Sequence, residues 1–84
     1  MKSSEKDILL SQIEALHTTP MGVERIKRNL SLVTDDVVKW CEEQIKLEVS
    51  KVIRKGKNWY VDTGFCTITV NAYSYTIITA HQNK

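Results

Sequence analysis

The sequence predicts an α+β domain with three N-terminal helices packed on one face of a four-stranded antiparallel β-meander. Two observations predict it. Apolar residues recur at helical spacing up to about residue 47, and from residue 51 onward β-branched and aromatic runs alternate with turns at Gly56 and Gly64. An antiparallel sheet covered on one face can leave the other in water. A chain of 84 residues suits one domain, residues 1–84, with a helical part at about 4–47 and a sheet part at about 51–81.

The first helix is read over residues 4–16. Ser3 or Ser4 caps it, Glu5 and Asp7 suit its positive end, and Ile8, Leu9, Ile13 and Leu16 form its core stripe. His17-Thr18-Thr19-Pro20 breaks the pattern. Thr19 then caps a second helix over roughly residues 20–30, with Pro20 at its first position. Val23, Ile26 and Leu30 share one side of it, and Arg25 and Arg28, three apart, share another. A third helix starts after Thr34, with Asp35 and Asp36 at its positive end. Val37, Val38, Cys41 and Ile45 are its buried side, with Trp40 beside them, while Glu42 and Glu43 face solvent.

Lys51-Val52-Ile53-Arg54 and Asn58-Trp59-Tyr60-Val61-Asp62 flank the turn Lys55-Gly56-Lys57, and Asp62-Thr63-Gly64 makes the next turn. A last hairpin spans Thr67 to His81. If Asn71 lies opposite Ser74, then Val70 faces Tyr75, Thr69 faces Thr76 and Ile68 faces Ile77. That register collects Cys66, Ile68, Val70, Tyr75 and Ile77 on a core face. It collects Thr67, Thr69, Asn71, Ser74 and Thr76, with Ile78 among them, on an open hydroxylated face. The turn carries no Gly.

Composition fits a folded globule, at 42% hydrophobic and 26% charged. No stretch approaches the ~18 apolar residues of a membrane span. The chain opens Met1-Lys2 and then polar, without an apolar signal core, so a cytoplasmic location and no membrane partner are expected. Cys41 and Cys66 share no metal spacing and read as free, buried thiols, so neither a metal nor a cofactor is expected. Charge is unevenly placed. Residues 1–50 hold seven Lys/Arg and nine Asp/Glu, a net −2, whereas residues 51–84 hold five Lys/Arg and only Asp62, a net +4. The basic strand half, with Lys51, Arg54, Lys55 and Lys57 close together, favours an anionic partner.

The residue types suit chemistry on RNA. Cleavage through the 2′-hydroxyl needs a proton acceptor, a proton donor and cations about the phosphorus. His17 and His81 are candidates for the proton steps. Arg25, Arg28, Lys55 and Lys57 suit the phosphate charge, Thr76 and Thr79 can orient phosphate oxygens, and Tyr73, in the turn, is placed for exposed base stacking. Trp59, Tyr60 and Tyr75 fit core or sheet-edge packing as well as stacking. Each histidine also has a plain structural reading: His17 beside the negative end of a helix, His81 near a frayed C-terminus. Serine-hydrolase, phosphate-loop and zinc patterns are absent.

Several stretches are familiar together: Leu16-His17-Thr18-Thr19, Gly22 to Leu30, Asp35 to Cys41, Gly56-Lys57-Asn58-Trp59-Tyr60 and the closing Ile68–His81 run. They resemble a family of small bacterial proteins of unknown function over nearly the whole chain. The layout is also similar to the BECR superfamily of ribonucleases and toxins, named for barnase, EndoU, colicins and RelE. That likeness implies N-terminal helices, a four-stranded antiparallel sheet and an active site on the sheet's open face. Ile77-Ile78-Thr79-Ala80 has the shape of the closing-strand motif in its bacterial toxin branches, and His17, Arg25 and Arg28 could fill the recurring upstream His or Arg. Gly22-Val23 stands where those branches carry a His.

Two functions compete on these grounds. One is a metal-independent RNase-like or RNA-binding domain that uses the open sheet face. The other is a non-catalytic module that binds a protein partner, or a second copy in a homodimer that covers Ile78. A helix-turn-helix reading of the second and third helices is disfavoured, because Asp35, Asp36, Glu42 and Glu43 would be repelled by phosphate.

Overall fold

The computed structural model describes residues 4–34 and 36–83. Three helices, α1 (Glu5–Ser11), α2 (Pro20–Leu30) and α3 (Val37–Lys46), precede four strands, β1 (Lys51–Lys55), β2 (Asn58–Asp62), β3 (Cys66–Asn71) and β4 (Ile77–Gln82). The strands form one antiparallel sheet in the order β1-β2-β3-β4. The α+β class and the sequential four-stranded sheet are as the sequence predicts.

The helix starts follow the capping chemistry. Ser4 accepts from the Asp7 amide, and the Asp7 carboxylate accepts in turn from the Ser4 amide, a reciprocal capping box. Ser3, the other capping candidate, and Met1 and Lys2 lie outside the described residues. Thr19 accepts from the Gly22 amide, with Pro20 at the first helical position. Asp36 accepts from the Lys39 amide, while Asp35 lies outside the described residues. The first helix is shorter than expected. It stops at Ser11, and residues Ile13–Ala15 form a separate 3₁₀ turn. Leu9, Ile13 and Leu16 are all buried, so tightening the coil keeps the apolar stripe on the core while the chain swings toward β4.

Sheet register explains which strand residues are buried. Trp59, Val70 and Ile77 form one cross-strand row, and Val61, Ile68 and Ala80 form another. These six residues and Cys66 join Leu9, Ile13, Leu16, Ile26, Leu30, Val37, Cys41 and Ile45 in one hydrophobic cluster. Trp59 is 1% exposed and its Nε1–H donates to Glu5 Oε1 at 2.9 Å, which fastens α1 to β2. Cys41 and Cys66 are free and buried, as read from the sequence. Burial, and then the neighbouring Cys66, push the Cys41 thiol up to about 12. Burial also raises Cys66, partly offset by the Thr63 hydroxyl bonded to it. Both are neutral thiols in the folded core near neutral pH.

The last hairpin departs from its expected register. Ile68 faces Ala80, Thr69 faces Thr79 and Val70 faces Ile77, with a bulge that leaves Ile78 extra. The loop is longer than four residues. The Asn71 amide donates to the Thr76 carbonyl at 2.8 Å and the Tyr75 amide to the Asn71 carbonyl at 2.8 Å. Tyr75 takes φ 61, supplying the left-handed residue that the glycine-free turn needs. Tyr75 still packs against the core, edge-on to Trp59 with ring centroids 5.3 Å apart. Ser74 and Thr76 therefore belong to the loop and not to the sheet face. The non-core rows of the sheet are Ile53–Tyr60–Thr69–Thr79 and Lys51–Asp62–Thr67–His81.

The two sheet edges differ. Beside β4, His17 forms a parallel bridge with Thr76, Thr18 Oγ1 donates to the Ile77 carbonyl at 2.8 Å, and Asn29 Nδ2 donates to the Ala80 carbonyl at 3.1 Å. At the other edge, the side chains of β1 are exposed apart from half-buried Val52.

Candidate functional site

The two hairpin ends meet at one end of the sheet. The Ala72 amide donates to the Lys57 carbonyl at 2.8 Å, so the β3–β4 loop leans on the β1–β2 turn. Gly56, at φ 60, lets that turn close within two residues. Arg54 Nε donates to the Gly56 carbonyl at 2.7 Å, and its guanidinium carbon lies 5.3 Å from the centre of the Tyr73 ring. Tyr73 is 74% exposed, so an arginine-backed aromatic ring stands in solvent at this end.

The loop is built on Asn71. Its Oδ1 accepts from the Tyr73 amide at 2.9 Å, the Ser74 amide at 3.0 Å and Ser74 Oγ at 3.2 Å. Asn58 stands opposite Asn71 on the neighbouring strand and opposite Lys55 on the other side. Its Oδ1 is buried with no hydrogen-bond partner among the described residues. Buried acceptors are ordinarily paired, which sets this oxygen apart from the other polar groups of the hairpin end.

His17 is fixed by its backbone and by both ring nitrogens. Its amide donates to the Tyr75 carbonyl at 3.1 Å, and its own carbonyl accepts from the Ile77 amide at 2.7 Å. Nδ1 lies 2.8 Å from the Ala15 carbonyl, which can only accept, so Nδ1 carries a proton. In the neutral ring Nε2 is then a lone pair, and Thr76 Oγ1 donates to it at 3.0 Å. Ser74 Oγ lies 2.8 Å from Thr76 Oγ1. A base, a hydroxyl and an orienting carbonyl thus stand in line on an exposed surface.

The structure divides the residues singled out from sequence. His17, Thr76, Tyr73, Lys55 and Lys57 belong to the hairpin end. Thr79 and His81 lie further along β4, opposite Thr69 and Thr67. His81 is five residues beyond Thr76, which is roughly 15 Å of strand, so the two histidines do not share one phosphorus. His81 is exposed within β4, and its side chain makes no hydrogen bond among the described residues. The strand end is not frayed, since Asn83 donates to Asp62 Oδ1 and accepts from Thr67 Oγ1. Arg25 and Arg28 border a separate depression of about 260 Å³ with Met21 and Glu24, all four on α2.

Asn58 is an addition to the site; Arg54 was read from sequence only as part of the basic cluster, and Asn71 and Ser74 only as residues of the open face. A signal for Arg54 was present: alternation in β1 sets it opposite in face to Lys51, Ile53 and Lys55. Nothing in the sequence marks Asn58 as an orphaned acceptor. Among the described residues, no helix is long and apolar enough to cross a membrane. No curated protein and no solved structure matches the chain. The family described as "Protein of unknown function (DUF3781)" matches residues 10–81, and the chain belongs to that family.

Proposed function

We propose that this protein is an RNA-binding domain whose helices cover one sheet face and whose hairpin end takes a single strand. The observation that carries this reading is the solvent-exposed Tyr73 ring backed by Arg54, at the junction of two hairpin ends that also carry Lys55 and Lys57. A base stacks on the free face of the tyrosine, and the cations take the flanking phosphates.

The test is anisotropy titration of fluorescein-labelled U12, A12 and a mixed RNA 12-mer at 50 and 200 mM salt. Binding should weaken with salt. Tyr73→Ala should lose about 1–3 kcal/mol, and Lys57→Ala should flatten the salt dependence. Absence of binding to all three RNAs at 50 mM salt, by a folded protein, overturns the reading.

A second reading, metal-independent cleavage, is favoured by the held tautomer of His17. Its Nε2 could accept the 2′-hydroxyl proton while the oxygen attacks phosphorus and the bond to the 5′-oxygen breaks. The returning imidazolium proton would go to that leaving oxygen. Incubation of labelled RNA in excess EDTA separates the two readings. Cleavage by the wild type and the His81→Ala variant, lost in a folded His17→Ala variant, supports catalysis. Binding with intact RNA leaves the domain a binder.

A further inference from the structure

The sheet has one closed edge and one open one. At β4, Thr18 and Asn29 occupy the carbonyls of Ile77 and Ala80, and His17 exchanges backbone bonds beside them. β1 is the terminal strand on the other side; α1 lies near it and Lys6 Nζ holds the Ser50 carbonyl just before it, but among the described residues no side chain bonds the backbone of Lys51–Lys55. An open edge offers a row of backbone donors and acceptors to another extended chain.

The side chains of β1 state what that chain must look like. Lys51, Ile53 and Lys55 share one face by alternation, and Val52 and Arg54 share the other. Ile53 is 60% exposed and, with Lys55 and Tyr60, borders a depression of about 380 Å³. Lys51, Arg54 and Lys55 form no ion pair among the described residues. Asp62, opposite Lys51, instead accepts from the Gly64 amide and from Asn83.

A second copy of β1 is disfavoured in the register that pairs the whole strand. An antiparallel self-pair centred on Ile53 sets Lys51 against Lys55 twice. Sliding by two residues to centre on Arg54 sets that arginine against its own copy. Like charges directly opposite destabilise a strand pair, and a slip to the intervening register mixes the two sheet faces.

We infer that the β1 edge binds an extended acidic segment of a partner protein, which adds as a fifth strand. In the antiparallel sense the segment reads acid, acid, apolar, apolar, acid, opposite Lys55, Arg54, Ile53, Val52 and Lys51. Its central apolar residue packs on Ile53 and fills the depression toward Tyr60. Its acids neutralise three cations that face no carboxylate in an ion pair among the described residues.

The test uses a fluorescein-labelled peptide, Thr-Glu-Glu-Val-Val-Glu-Thr, and a control with Lys in place of each Glu, titrated against the intact protein. The acidic peptide should bind, and more weakly as salt rises. It should slow hydrogen exchange at β1 amides, which a purely electrostatic contact would not do. The Lys51→Glu/Lys55→Glu variant changes exposed side chains only. It should bind the acidic peptide about tenfold or more weakly and gain affinity for the Lys peptide. Three results overturn the inference: equal affinity for both peptides, acidic-peptide binding without β1 protection, or a wild-type dimer by sedimentation whose interface protects β1. Absence of acidic-peptide binding to the folded wild type overturns it as well.

Discussion

Gly22 shows how one atom decides a local structure. It sits in the first turn of α2 and is buried. A Cβ there would collide with Thr18 Oγ1, and it would stand 3.3 Å from Thr19 Oγ1. Those two hydroxyls have separate duties. Thr19 caps α2, and Thr18 holds the Ile77 carbonyl on the edge of β4. Helix propensity alone favours Ala over Gly by about 1 kcal/mol, so an exposed glycine here would be improved by the change. We expect the opposite sign. Gly22→Ala should destabilise the fold by about 1–3 kcal/mol, because Thr18 must leave its carbonyl unpaired. The check is urea unfolding of four proteins: wild type, Gly22→Ala, Thr18→Ala and the double variant. In the Thr18→Ala background the alanine at position 22 should cost little or even stabilise. Additive effects would show that the contact with Thr18 is not the cause.

Among the helices and strands, the parts legible in the sequence are those set by local chemistry. Ser4, Thr19 and Asp36 mark helix starts because each side chain reaches the amide three residues on. The break at Gln12 was hidden, since Leu9, Ile13 and Leu16 are spaced four and then three apart, which an α-helix and a 3₁₀ turn both accommodate. The β3–β4 register was hidden for a different reason. Alternation fixed the face of Cys66, Ile68 and Val70, but a bulge at Thr69/Val70 and a left-handed Tyr75 moved the partner strand. No residue of the loop advertises either feature. The candidate site depends on that loop, so its membership was only half legible. Thr76 and Tyr73 were named for their chemistry and Arg54 for its charge, while the pairing of Arg54 with Tyr73 and the burial of Asn58 became visible only once β1, β2 and the loop were side by side. Beside its backbone bonds, the loop is gathered on one carboxamide oxygen, Asn71 Oδ1, which has three donors. Asn71→Ala should therefore cost about 1–3 kcal/mol and speed hydrogen exchange at Tyr73 and Ser74. Asn71→Asp keeps the acceptor and should retain most of that protection. Equal exchange in the two variants would mean that the loop is held by its backbone bonds alone.

The helical and strand parts are each incomplete. Eight of the fifteen cluster residues come from the helical part and seven from the strands, so each part alone would leave its apolar side in water. Lys6 ties the parts together, since its Nζ donates to the carbonyls of Leu47 at 2.6 Å and Ser50 at 3.0 Å. Between them Glu48 and Val49 are exposed, Val49 at 69%, which makes this stretch a place to sever the chain, with buried Ser50 kept on the strand fragment. Fragments 1–49 and 50–84 should each lack stable structure by circular dichroism. Mixed, they should recover the helix and sheet signal, because the packing that stabilises short helices and hairpins is supplied only by the opposite fragment. Charge adds a second expectation. The helical fragment carries net −2 and the strand fragment +4. Their association should therefore slow and weaken modestly as salt rises from 50 to 500 mM, through loss of the long-range attraction, while most of the affinity survives as buried apolar contact. A strand fragment that folded alone would remove the cooperative core as the origin of the fold, whereas reassociation that vanished at high salt would put charge ahead of burial.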